Sequence, residues 1–176
     1  MGLGRLWAGW RMPYVTEASA DTAGRPGEVD PPEHCVFCRL LSGDRPDEET
    51  LVVWRGPTTA VLLNAYPYAS GHLLAMPRRH VGDPDELTAE ESQALWSTTW
   101  AGVAALRRAY RPDGVNVGAN LGRAAGAGIP GHLHFHALPR WVGDTNFLTT
   151  VAEARVLPEA LPVTWARLRG EFSPPE

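Results

Sequence analysis

The sequence predicts an α+β domain: an antiparallel sheet of about five strands carrying one long helix, with a short helix near the C-terminus. Three observations point there. Short β-prone runs alternate with Gly- and Pro-rich turns. A single long amphipathic stretch begins on a capping signal. Three histidines alternate with apolar residues in Gly131-His132-Leu133-His134-Phe135-His136-Ala137-Leu138, and a two-residue period is that of a strand.

The first two strands are read at Leu51–Trp54 and Thr58–Leu63, joined through Arg55-Gly56-Pro57 as a hairpin. The turn-rich segment from Asn64 to Gly71 follows, and His72–Pro77 reads as a third strand ending at proline. Asn64, at a strand end facing a loop, is a natural ligand contact. Thr88-Ala89-Glu90-Glu91 fits a capping box. From there Leu95, Thr99, Val103, Leu106 and Tyr110 keep helical spacing until Arg111-Pro112-Asp113-Gly114 stops the helix. Trp96 and Trp100 widen its apolar face as core or interface residues. Val115–Asn120 reads as a fourth strand, and the histidine segment from His132 as the fifth, with His132, His134 and His136 on one face. Leu157–Leu168 suggests the short terminal helix.

With 176 residues, 44% apolar and 20% charged, the chain fits one soluble domain, residues 34–150. Residues 1–33 form an N-terminal docking segment and loop, aromatic at Trp7, Trp10 and Tyr14, and residues 151–176 a tail. A net charge of −4 without a basic stripe argues against DNA or RNA as partner, while leaving room for a small anion held by local donors. No secretory signal or membrane span is read, and Leu6 stands where a myristoylation motif wants Ser or Thr, so a cytoplasmic location is expected.

Two motifs carry chemistry. Three imidazoles in register fit a metal site, a nucleophilic histidine with attendants, or a plain polar strand face. The Gly-rich run from Gly122 to Gly131, directly upstream, lets backbone N–H groups approach an anion. It is neither a P-loop nor a dinucleotide fingerprint. The two cysteines, Cys35 and Cys38, form a C-x-x-C pair that reads as a redox dithiol, half of a zinc site, or two buried thiols. His34, His72, His80 and His132 are candidates to complete a Cys2His2 tetrahedron.

His132-Leu-His134-Phe-His136-Ala-Leu, followed by Pro139-Arg140-Trp141, resembles the signature of the histidine triad (HIT) nucleotide-binding superfamily. The resemblance runs from about Cys35 to Phe147 and includes Asn64, Ser70-Gly71-His72, Pro77 to His80 and Asn116 in the family's order. Leu6 to Arg11 and Trp141 to Phe147 are similar to a bacterial branch that includes diadenosine tetraphosphate phosphorylases and related hydrolases. The resemblance implies a HIT-like, dimer-forming fold, with the long helix and the C-terminal region at the interface. It implies a hydrolase or nucleotidyltransferase acting on an adenine nucleotide, with His134 as nucleophile and His136 on the phosphate. Asn64, Asn116, Gly128, Ile129 and Trp141 would bind substrate. Cys35, Cys38, His80 and His132 would hold a structural zinc, with no organic cofactor. A metal-dependent hydrolase using the three histidines as ligands, and a slow nucleotide-binding or signalling protein, are the alternatives.

Overall fold

The computed structural model describes residues 31–144 and 159–175. All of these lie in one compact unit, Val29–Asp144 with Leu157–Glu176. The expected N-terminal docking segment, with its aromatic residues, lies outside the described residues.

Five antiparallel strands form one sheet in the order β1-β2-β3-β5-β4. They are β1 (Val52–Arg55), β2 (Thr59–Leu63), β3 (Leu73–Pro77), β4 (Gly114–Ala119) and β5 (Phe135–Arg140). Two short helices not foreseen from the sequence, α1 (Val36–Leu41) and α2 (Asp47–Thr50), precede β1. At six and four residues they are too short to show a helical period. The long helix α3 (Ala89–Tyr110) starts on the expected capping box, with Thr88 accepting from the Glu91 N–H and Glu91 reaching back to the Thr88 N–H. The terminal helix α4 spans Leu161–Glu171, later than expected, with a proline in its first turn.

Strands β2 and β3 are buried along their whole length because both faces of the sheet are covered. On one face Val61, Leu63, Leu73 and Ala75 meet Leu95, Val103 and Leu106 of α3 and Leu168 of α4. On the other, Ala60, Leu62, Leu74 and Met76 meet Cys35, Phe37 and Leu41. The histidines are distributed about this second face. Helix α4 also covers the outer edge of β1: Trp165 Nε1 donates to the Val52 carbonyl at 2.9 Å and Arg169 to the Val53 carbonyl at 3.0 Å. β4 is the other edge of the described sheet. Among the described residues no helix is long and apolar enough to cross a membrane.

One correction concerns the histidine strand. β5 begins at Phe135, so only His136 lies in the ladder, while His132, at a bend, and His134 precede it. The neighbouring β3 ends at Pro77. Beyond it, Leu133 N–H bonds the Val81 carbonyl at 2.6 Å, and the Pro77 carbonyl is taken by the His132 ring at 2.8 Å. The alternation still holds: Leu133 and Ala137 enter the core under α3, with Phe135 packed against it.

Candidate functional site

The site lies on the α1 face of the sheet, where the two ends of the histidine segment meet different partners. At one end His132 is fully buried. Its Nε2–H donates to the Pro77 carbonyl, leaving Nδ1 facing Cys35 Sγ at 3.4 Å and Cys38 Sγ at 3.6 Å. His80 Nδ1 lies 3.3 Å from Cys38 Sγ. The ligand atoms of Cys35, Cys38, His80 and His132 all fall within 4.8 Å of one another. A tetrahedral ion with metal–sulfur bonds of about 2.3 Å and metal–nitrogen bonds of about 2.0 Å would set sulfur and nitrogen about 3.5 Å apart. The cluster matches that spacing. The His132 ring bond to a backbone carbonyl is also the outer contact that orients metal-binding histidines. Burial, with Cys35 adjoining, pushes the Cys38 thiol up to about 11; a cation at this point would reverse that by stabilising the thiolate.

His134 comes next. Its Nδ1–H donates to the His132 carbonyl at 2.7 Å. A carbonyl only accepts, so the proton sits on Nδ1 and Nε2 carries a free lone pair. Burial lowers its pKa, opposed by that carbonyl bond, so the ring is neutral and nucleophilic at neutral pH. Phe37 packs edge-on against it at 5.0 Å between ring centroids.

The protonation of His136 follows from a chain of bonds. Tyr68 N–H, which can only donate, points to His72 Nδ1 at 3.2 Å, and Asn64 Nδ2 lies at 3.2 Å from the same nitrogen. His72 is therefore protonated on Nε2, which donates to His136 Nδ1 at 2.8 Å. That leaves the His136 proton on Nε2, a buried atom without a partner among the described residues. Burial first, and the neighbouring His134 second, bring the His136 pKa down to about 4. The site thus presents a lone pair on His134 beside an N–H on His136, with ring centroids 5.0 Å apart. One can attack an electrophile while the other donates to its oxygen. Among the described residues only His132 of the three enters a cluster of metal-ligating side chains, the one formed with Cys35, Cys38 and His80.

The HIT domain matches residues 45–142, more than half of the chain. This chain belongs to the HIT family. Its relatives include the AP-4-A phosphorylase of Mycobacterium tuberculosis, 39% identical over 171 residues that span 97% of this chain and 85% of the relative. Among solved structures, the zinc-bound histidine triad family protein from Mycobacterium smegmatis is 26% identical with a TM-score of 0.65, covering 80% of this chain and 94% of that one. A hypothetical histidine triad nucleotide-binding protein from Sulfolobus tokodaii is 25% identical with a TM-score of 0.64, covering 78% and 91%.

Within this HIT fold the remaining expected residues separate. Asn64 sits beside the relay: its Oδ1 accepts Tyr66 N–H at 2.9 Å and its nitrogen faces His72. Asn116 shares the histidine face of β4, two residues from Gly118, the direct neighbour of His136, and its Oδ1 accepts from Arg140 at 2.8 Å. Gly128 is exposed, and Ile129 packs on the α1 cluster while its carbonyl accepts His132 N–H at 3.3 Å. Trp141 follows the end of β5 at Arg140, and its ring meets Tyr110 of α3, 6.2 Å away between centroids.

His72, a candidate ligand in the sequence, instead makes ring hydrogen bonds with Tyr68, Asn64 and His136. Two contributors to the site were missed in the sequence. Phe37 stands between the cysteines, a position that ties it to their cluster. Tyr68, stacked on His136 with an angle of 14° between rings, carried no local signal.

Proposed function

We propose that this HIT protein is a nucleotidyl hydrolase or transferase that cleaves an adenine nucleoside polyphosphate, such as diadenosine tetraphosphate, at the α-phosphate through a covalent nucleotidyl-His134. The observation that carries the reading is the pairing of a free His134 Nε2 lone pair with a His136 Nε2–H, both set by fixed hydrogen bonds. The relationship to the mycobacterial AP-4-A phosphorylase supports the substrate class.

In the proposed reaction His134 Nε2 attacks the α-phosphorus. An Nε2–P bond forms as the bridging P–O bond breaks and ATP leaves with that electron pair. His134 keeps its Nδ1 proton, so the nucleotidyl ring is cationic and is stabilised by the His132 carbonyl. His136 donates to a phosphoryl oxygen, and N–H groups near Gly128 and Ile129 supplement it. Asn116 Nδ2, on the same face of β4, would donate to the same group. The N–H of Asn64 not aimed at His72 is available to a ribose hydroxyl. Water or phosphate then attacks phosphorus, the Nε2–P bond breaks, and neutral imidazole returns. Water would yield AMP, and phosphate ADP.

Cys35, Cys38, His80 and His132 would hold zinc. Four protein ligands leave no open position, so the ion would brace the fold and supply no activated water. The zinc-bound mycobacterial structure supports this assignment. A homodimer is also proposed. Trp96 and Trp100 of α3 are each about half exposed, edge-on to one another at 5.3 Å, and Trp96 meets Phe135 beside the β4 edge.

The test is incubation with diadenosine tetraphosphate, with and without inorganic phosphate, followed by nucleotide separation. AMP plus ATP identifies a hydrolase, and ADP plus ATP a phosphorylase. Tight AMP binding without turnover of any polyphosphate would replace the reading with a binding protein, and a His134→Ala protein at full rate would overturn the mechanism.

A further inference from the structure

Phe37 lies between the two cysteines, next to Cys38, on a helix of six residues. Such a helix does not hold itself in water, because its few hydrogen bonds do not offset the cost of nucleation. Its position depends on what anchors its ends. Cys35 at its N-cap and Cys38 in its first turn both enter the Cys-His cluster. Phe37, 6% exposed, is thereby pressed edge-on against two imidazoles, His132 at 5.5 Å and 84° and His134 at 5.0 Å and 63°. Among the described residues His134 has one ring hydrogen bond, to the backbone of His132. One bond at Nδ1 fixes a direction but leaves the ring plane free to rock about it. The Phe37 edge and the His136 ring, each 5.0 Å away between centroids, are the ring contacts that limit that rocking.

We propose that Phe37 is a positioning residue that couples the Cys35–Cys38 anchor to the plane of the His134 ring. The proposal rests on His134 being the nucleophile and on the cluster holding zinc. Both routes from cluster to nucleophile, the His132 carbonyl and the Phe37 ring, start at residues the ion would tie together. Their joint effect is to aim Nε2 at the incoming phosphorus, and small misalignments of a reacting atom cost rate steeply. Phe37 touches no reacting atom in this account; it acts through His134.

The experiment uses the full-length, zinc-loaded protein and the variants Phe37→Ala and Phe37→Leu, leucine filling the space without an aromatic edge. Three readouts are taken: zinc content by metal analysis, the nitrogen NMR signal of the His134 ring, and kcat with KM. Phe37→Leu is expected to keep its zinc and KM, to shift or broaden the His134 signal, and to lose about tenfold in kcat, with Phe37→Ala losing more. Stripping zinc from the wild type with a chelator should perturb the same signal, and stripping Phe37→Leu should perturb it less, because only the His132 carbonyl route then remains. The proposal is overturned if Phe37→Leu leaves the His134 signal and kcat unchanged, or if the effects of stripping and substitution simply multiply. Loss of zinc from Phe37→Leu would also overturn it, by making Phe37 a support of the metal site. Failure of the nucleophile reading shows separately, as a His134→Ala protein with full turnover, and failure of the zinc reading as metal-free wild type.

Discussion

Replacing His72 with leucine removes the link that decides which nitrogen of His136 carries its proton. His72 is fully buried, accepts from Tyr68 N–H at 3.2 Å and donates to His136 Nδ1 at 2.8 Å. Leucine conserves the apolar bulk and leaves His136 Nδ1 without its donor. A buried unpaired polar group costs about 1–3 kcal/mol, so the variant should lose about 2 kcal/mol or more. In a chain of this size that lowers Tm by roughly 4–8 °C. The effect on rate comes from the tautomer. With His72 Nε2–H gone, His136 no longer has its proton fixed on Nε2, and the donor to the phosphoryl oxygen is present only part of the time. Loss of one such donor altogether costs about 100- to 1000-fold in kcat. Loss of its bias and alignment should cost about 10- to 100-fold. Glutamine separates the two contributions, because its amide N–H can still donate toward His136 Nδ1. Steady-state kinetics on diadenosine tetraphosphate, alongside thermal melts, should place His72→Gln within a few-fold of wild type and His72→Leu well below it. A folded His72→Leu protein with kcat within twofold of wild type would refute the relay.

Other consequences follow from the same geometry. A Cβ at Gly82 would lie 2.8 Å from the Pro130 carbonyl, backbone that leads directly into His132, so Gly82→Ala should destabilise by about 1–3 kcal/mol in a denaturant titration. For pH, the folded His136 value of about 4 lies below an unfolded value of about 6.5, so between them the unfolded chain binds more protons. The His136 contribution to stability is therefore fully present above about pH 6.5 and is lost as pH falls toward 4; melts across that range should show it. Activity should accordingly persist below the usual histidine range, and a kcat/KM profile falling with an ordinary histidine pKa would contradict neutral, buried imidazoles. Trp96→Glu with Trp100→Glu should convert a dimer to monomer in sedimentation, and an unchanged mass would move the interface elsewhere.

The parts of this molecule legible in the sequence are those with a period or a cap. The long helix was marked by Thr88 and Glu91 at its start and by Arg111-Pro112-Asp113-Gly114 at its end, and it runs Ala89–Tyr110. Strands β2 and β3 were visible as apolar runs because both their faces are buried. The shared face of the histidines was visible too, but not that the ladder begins only at Phe135. That boundary depends on where β3 ends, a fact about another strand. Helices α1 and α2 gave no sign because each is too short for periodicity to register. The contact of the Trp141 ring with Tyr110 had no local signal either, because it joins the residue after β5 to the last residue of α3. The relay through His72 needed three dimensions, since Tyr68, His72 and His136 meet across a loop and two strands.

The most direct test of the central claim is to catch the intermediate. The protein is mixed with diadenosine tetraphosphate, quenched in alkali to protect a P–N bond, digested and examined by mass spectrometry. One adenylyl group is expected on the peptide carrying His134, formed within a single turnover, absent in His134→Ala and discharged on further incubation. Full turnover with no adduct on that peptide at any time would contradict it.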